Sequence, residues 1–186
     1  MRTAWRPDAA SLRRALAGAT AAELTYDEHG ASDAGRLPDG YAHLLETTDA
    51  GRGKQAYERL REALLGWDLH REARMVLATS TSGVEVGCTV VNAAPIGPLA
   101  LLAPCRVTRR IDEPARGGFA YGTLPRHPLV GEERFTVELD AQERVLLRIR
   151  SFSRPVGVAG LAPPLARVGQ RTINRRYAAA ARRIAR

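Results

Sequence analysis

Gly118-Phe119-Ala120-Tyr121-Gly122-Thr123-Leu124-Pro125-Arg126-His127-Pro128-Leu129-Val130-Gly131-Glu132-Glu133-Arg134-Phe135 holds a strand, a loop and the start of a second strand. Phe119, Tyr121 and Thr123 alternate with smaller residues, the period-2 pattern of a strand with two unlike faces. Prolines flank His127 in the loop, where neither strand nor helix tolerates them well. Past Gly131, Glu133 shares parity with Phe135, Val137 and Leu139, while Glu132 shares it with Arg134, Thr136 and Glu138. The two carboxylates therefore point to opposite faces. Glu133 is expected on the apolar face and Glu132 in solvent.

Working outward, Asp140–Glu143 reads as a four-residue hairpin loop, followed by Val145, Leu147 and Ile149 alternating with Arg148 and Arg150. Upstream, the period changes to 2 from Arg71, with Met75 and Leu77 alternating with Arg74 and Val76. Thr81-Ser82-Gly83 turns the chain, and Val84, Val86, Cys88 and Val90 are expected on one face of the next strand. Pro95-Ile96-Gly97-Pro98 turns it again into Leu99–Arg110. Six strands with such short connections must pair antiparallel, because parallel neighbours need long crossovers.

Helical periodicity brackets this block. Lys54–Leu65 places Tyr57, Leu60 and Leu64 on one face, with Gly66 as the stop and Trp67 packing back. Asp8 can cap a short helix carrying Leu12 and Leu16. A long C-terminal helix shows an apolar arc, Leu161, Leu165, Val168, Thr172, Ile173, Tyr177, Ala180 and Ile184, against a basic back of Arg167, Arg171, Arg175 and Arg182. Glu23–Asp27 reads as a short strand and Glu28–Arg52 mostly as loop, with a turn at Leu37-Pro38-Asp39-Gly40-Tyr41. The expected fold is α+β: a curved antiparallel sheet of about seven strands that must cover its concave face with the long C-terminal helix.

The chain of 186 residues suits one domain of ordinary size, and 45% apolar with 26% charged residues suits a globular protein. Its net charge is +8, with Lys54 as the single lysine. An arginine bias of that kind accompanies GC-rich genomes, which weakens charge as a sign of nucleic-acid binding without removing it. Val90–Cys105 is too short and interrupted to span a bilayer. Met1–Ala19 has no unbroken apolar run of the secretory kind. Cys88 and Cys105 lack metal spacing and read as buried free thiols, which points to the cytoplasm. His29, His43, His70 and His127 give no zinc pattern, and phosphate, dinucleotide and nucleophile-elbow motifs are absent. No metal and no cofactor is expected.

Several segments carry a family likeness. Tyr26-Asp27-Glu28-His29-Gly30-Ala31, Leu37-Pro38-Asp39-Gly40-Tyr41, Pro104-Cys105-Arg106-Val107, the Tyr121–Pro128 loop, Gly131-Glu132-Glu133-Arg134-Phe135 and Ser151-Phe152-Ser153-Arg154-Pro155 resemble the DUF1990 (UPF0548) family over roughly residues 23 to 180. Before the first long helix, Gly51-Arg52-Gly53 departs from the family's usual pattern in being followed by Tyr57, not Phe. The resemblance implies the Bet v 1/START-like helix-grip fold, with an apolar cavity between sheet and helix. The family is common in actinobacteria, which implies such a source, and it also occurs in plants.

Each candidate residue has two readings. His127 can serve as a general acid or base at a cavity mouth, or its ring can tie down a tight turn. Glu133, on an apolar face, needs a partner or a raised pKa. It is either a proton-transfer group or half of an ion pair with Arg106 or Arg154. Tyr121 hydrogen-bonds a ligand or Glu133. Thr123 shares its face, and Ser151 and Ser153 continue the inward parity of β-strand residues 145–149, suiting either a ligand head group or the turn at Pro155. Arg106 and Arg154 can anchor a carboxylate or phosphate. The expected function is binding of a small, largely apolar organic molecule between sheet and C-terminal helix. The alternatives are a cofactor-independent cyclase, isomerase or hydrolase using His127, Glu133 and Tyr121, and a basic protein meeting nucleic acid or an acidic partner.

Overall fold

Alternation along residues 116–155 produces the central hairpins of one antiparallel sheet. The computed structural model describes residues 3–5, 8–96, 99–157 and 163–186, the side chains of 3–5, 94–96, 99 and 163–168 excepted. Its strands are β1 (Thr3–Trp5), β2 (Ala42–Arg52), β3 (Val76–Thr79), β4 (Thr89–Ile96), β5 (Leu99–Glu113), β6 (Arg116–Thr123), β7 (Leu129–Leu139) and β8 (Arg144–Pro155). The helices are α1 (Ala9–Ala19), α2 (Lys54–Leu65), α3 (Asp68–Glu72) and α4 (Pro163–Ile184). The sheet runs in the order β2-β8-β7-β6-β5-β4-β3. β6 takes the distal part of β5, leaving Leu99–Leu101 to pair with β1.

The seventh strand of that path is not where the sequence pattern put it. Glu23–Asp27 forms no strand and touches the sheet through Thr25, whose N–H donates to the Thr123 carbonyl at 3.1 Å. Its place is taken by β2, which lies in the segment read as loop and forms an edge against β8. Half-exposed edge strands tolerate polar residues, so His43, Glu46 and Asp49 hid its alternation. The strand expected from Val84 starts only at Thr89: residues 84–88 turn, and Val86 is exposed. The remaining strands, α1 with its Asp8 cap, and α2 stand as expected. Leu161 lies outside the described residues, as do the side chains of Leu165, Arg167 and Val168.

One face of the sheet is the core. Phe119, Tyr121, Phe135, Val137, Val145, Leu147 and Ile149 meet Tyr57, Leu60 and Leu64 of α2, Leu69 of α3, and Tyr177, Ala180 and Ala181 of α4. Full burial of such a side chain stabilises by about 1.5–3 kcal/mol. Trp67 joins α2 to α3 at φ 68°, a strained conformation for a bulky residue, and is fully buried against Phe119 at 5.0 Å between ring centroids. The opposite face is also covered. α1 packs Leu12 on Val91, Ala93 and Ala100, and the segment 24–41 packs Tyr26 and Leu37 on Val130 and Phe152. A sheet masked on both sides reads differently from one with a wet back, and this decides the fate of Glu132.

Candidate functional site

Strand register assembles the inner row. Val107 of β5 pairs with Tyr121 of β6, Tyr121 with Glu133 of β7, Glu133 with Ser151 of β8, and Ser151 with Leu44 of β2. One step along, Phe119, Phe135, Ile149 and Glu46 form the next row. Tyr121 Oη donates to Glu133 Oε2 at 3.0 Å. Ser151 is buried, and its Oγ has no hydrogen-bond partner among the described residues. From α4, the Asn174 side-chain amide donates to Glu46 Oε1 at 3.2 Å.

Desolvation dominates the electrostatics of this wall. It raises the Glu133 carboxyl to about 7; the Tyr121 hydrogen bond pulls back and the Glu46 charge pushes further up. The side chain nevertheless keeps some accessible surface, unlike its neighbours Phe119 and Phe135 at 0%. Burial also raises the Tyr121 and Tyr177 hydroxyls well above their ordinary value, with Glu133 the next cause for both. Both tyrosines are therefore donors at neutral pH.

Behind this row stands a residue that sequence reasoning passed over. His70 is fully buried among Trp67, Phe119, Phe135 and Tyr177, with ring centroids 5.0–5.9 Å away. Neither ring nitrogen has a partner among the described residues. Burial lowers its pKa to about 3, so the ring is neutral. The missed signal is that Gly66-Trp67 ends α2 without ending helical structure, and α3 then turns His70 inward.

The other expected site residues lie apart. Arg106 is on the opposite face, where it caps α1: its guanidinium donates to the carbonyls of Ala19, Thr20 and Ala22 at 2.7–3.1 Å. Arg154 is exposed and lies 5.6 Å from the Tyr41 ring centre. Neither pairs with Glu133, which corrects the expected ion pair. The reason is parity, since Arg106 alternates with the inward Cys105 and Val107, and Arg154 with Ser151 and Ser153. His127 is half-buried, its Nδ1 2.9 Å from both the N and the O of Leu129, and desolvation lowers its pKa to about 4. The ring ties down the β6–β7 connection. Thr123 Oγ1 accepts from the Gly131 N–H at 3.0 Å and meets Thr25 Oγ1 at 2.7 Å, which closes the end of the row. Ser153, half-buried, pairs with Gly131 and Ala42 at that same end.

Glu132 reverses the expectation of a solvated carboxylate. It is 2% exposed and accepts from Tyr26 Oη at 2.8 Å, the N–H groups of Gly30 and Ser32 at 3.0 Å, and Thr108 Oγ1 at 3.3 Å. Gly122 makes room for this, because a Cβ there would sit 2.2 Å from Tyr26 Oη. Next to it Asp33 answers in the other direction, pairing with Arg109, Arg116 and Arg134 of the sheet. Two carboxylates thus pin segment 24–41 to the outer face. Four donors on one acceptor leave Glu132 no capacity for a ligand, whereas Glu133 has one donor.

A curved antiparallel sheet wrapped around a C-terminal helix is the helix-grip, Bet v 1-like fold. The chain belongs to the DUF1990 family: the family model described as "Domain of unknown function (DUF1990)" matches residues 25–180. It is 36% identical over 165 residues to the UPF0548 protein of Deinococcus radiodurans, covering 83% of each chain. That relative lies outside the actinobacteria and lends no support to an actinobacterial source. Two solved structures share the fold. Ara h 8.0201 superposes at a TM-score of 0.53 with 11% identity, over 78% of this chain and 98% of that one. The di-domain ARO/CYC BexL from the BE-7585A biosynthetic pathway gives 0.53 with 12% identity, over 80% and 51%. Among the described residues no helix is long and apolar enough to cross a membrane.

Proposed function

We propose that the chain binds a small, largely apolar organic molecule between the inner face of the sheet and α4, oriented by Tyr121, Glu133 and Ser151. One observation carries this reading. On a largely apolar face, two cross-strand partners are under-satisfied: among the described residues Glu133 has one side-chain donor and Ser151 Oγ has no partner. Buried polar groups are normally paired, and pockets are commonly apolar with a few convergent polar groups. The fold shared with Ara h 8.0201 agrees with this reading but does not choose a ligand.

Titration with a neutral solvatochromic dye such as N-phenyl-1-naphthylamine tests it. A saturable blue-shifted signal of one dye per chain is expected, abolished by Ser151→Phe in a variant whose circular dichroism matches the parent. A signal unchanged by that substitution places the dye elsewhere and overturns the reading. Native mass spectrometry of protein purified from its own host looks for the molecule itself.

The second reading, an acid–base enzyme, is favoured by the Glu133 carboxyl at about 7 beside a neutral tyrosine, the tuning that general acids and bases use. His127 adds little to it, because its Nδ1 is engaged by Leu129. A basic-partner reading rests on the α4 back, where Arg171 and Arg175 are exposed and Arg182 donates to the Asp49 carbonyl. Retention on heparin with a steep salt dependence is its test.

A further inference from the structure

The expected anchors for an acidic ligand, Arg106 and Arg154, are both on the outer face, and the inner groups around Glu133 include a second carboxylate. Glu46 and Glu133 share the inner face of the sheet. They lie on β2 and β7, separated by β8, one inward row apart, and the Glu46 charge is among the causes that raise the Glu133 carboxyl. Glu46 holds the buried Asn174 amide. The groups facing Glu133 from the surrounding elements are Tyr121 of β6, Ser151 of β8, Glu46 of β2, Cys105 of β5 and Tyr177 of α4, with His70 of α3 behind the two tyrosines. None of these is a cation, His70 being neutral. No arginine or lysine among the described residues forms an ion pair with Glu133 or Glu46.

This absence stands against the composition. The chain carries 28 basic residues and 20 acidic ones, yet none of the described basic side chains pairs with Glu133 or Glu46: Arg110 of β5, which shares the inner register with Phe119, is engaged by Asp112 and the Val84 carbonyl. Two like charges facing one space are unfavourable unless a proton or a cation lies between them.

We propose that the ligand of the inner face is an organic cation, a protonated amine on an apolar body, whose ammonium sits between Glu133 and Glu46 with Tyr121 and Ser151 beside it. The inference rests on the cavity reading above and narrows it. An ammonium supplies donors to acceptors that lack them, since Glu133 is an acceptor with one donor and Ser151 Oγ has free capacity. A carboxylate or phosphate ligand would meet two acidic groups and, among the described residues, no unpaired counter-charge beside them. Binding the cation also favours the ionised form of Glu133, so affinity and protonation are linked.

Three probes with one body separate the two claims: 2-naphthylethylamine, 2-naphthylethanol and 2-naphthylacetate, measured by calorimetry on the full chain. At about pH 8 the amine is expected to bind at least about ten-fold more tightly than the acetate, with the alcohol between them. At about pH 5, where an alkylamine is still protonated but Glu133 is not ionised, the amine should lose most of its advantage over the alcohol. Glu133→Gln should remove that pH dependence, and Glu46→Gln should reduce the amine-to-alcohol ratio in protein with an unchanged melting profile. An acetate that binds as tightly as the amine overturns the head-group inference while leaving the cavity standing. Failure of all three probes and of the neutral dye overturns both.

Discussion

Replacing Glu133 by glutamine should make the protein more stable, and only above mildly acidic pH. The carboxyl is pushed from 4.5 to about 7 in the folded chain. An acid whose folded pKa exceeds its unfolded one binds its proton more tightly when folded. Its penalty is therefore absent below the unfolded value, grows as pH rises, and is complete above 7. The shift is worth about 3 kcal/mol as a ceiling, because a side chain that keeps some accessible surface retains part of its hydration. Glutamine has nearly the same shape, keeps an oxygen to accept from Tyr121, and has no charge to desolvate. Urea denaturation of parent and variant across about pH 4 to 8 gives the difference in unfolding free energy at each pH. That difference should be near zero at the acid end and rise to roughly 2–3 kcal/mol in favour of the variant at the alkaline end. All other titrating groups are common to both chains and cancel. A flat difference, or a variant less stable at about pH 8, would refute the argument that Glu133 is a desolvated carboxylate without a compensating cation.

Glu132 predicts the reverse. Glu132→Ala strips four hydrogen bonds from the outer face and strands two backbone N–H groups, so a loss of about 3–5 kcal/mol is expected in the same denaturation assay, with proteolytic cleavage appearing first within residues 24–41. His70→Leu removes two unpartnered nitrogens. Because the folded ring resists protonation down to about 3, parent stability falls as pH drops below the unfolded value of 6.5, and the variant should lose less on acidification than the parent. A variant that is strongly destabilised at neutral pH would show that the ring nitrogens are satisfied by ordered water.

The legible part of the site was the part governed by period-2 alternation. Parity alone put Glu133 on the inner face with Tyr121, and the register confirms that they are cross-strand partners. Parity also held the information needed to exclude Arg106 and Arg154, since their neighbours Cys105, Val107, Ser151 and Ser153 point inward. Chemical appeal outweighed it. Glu132 failed for a different reason. Alternation names a face but does not say what covers it, and its cover comes from Tyr26, Gly30 and Ser32, about a hundred positions upstream in sequence. β2 was hidden because its inward positions carry Leu44, Glu46, Thr48 and Ala50, a row with too few large apolar side chains to announce a strand. With β2 unread, Glu46 could not be placed opposite α4, and the second inner carboxylate stayed out of the reckoning.

The two adjacent glutamates of β7 show how one sheet divides its labour. On the outer side Glu132 is saturated by segment 24–41, Asp33 by three arginines, and Arg106 by the end of α1. Every strong polar group named there is engaged in fixing structure, and two of the segments that carry the family resemblance, Tyr26 to Gly30 and Gly131 to Arg134, map onto that lock. On the inner side the polar groups are fewer and less satisfied, and each unpaired acceptor near Glu133 would cost about 1–3 kcal/mol if nothing filled it. The same strand thus holds one carboxylate saturated by four donors and another with a single side-chain donor among the described residues, and the proposed ligand would act on the second.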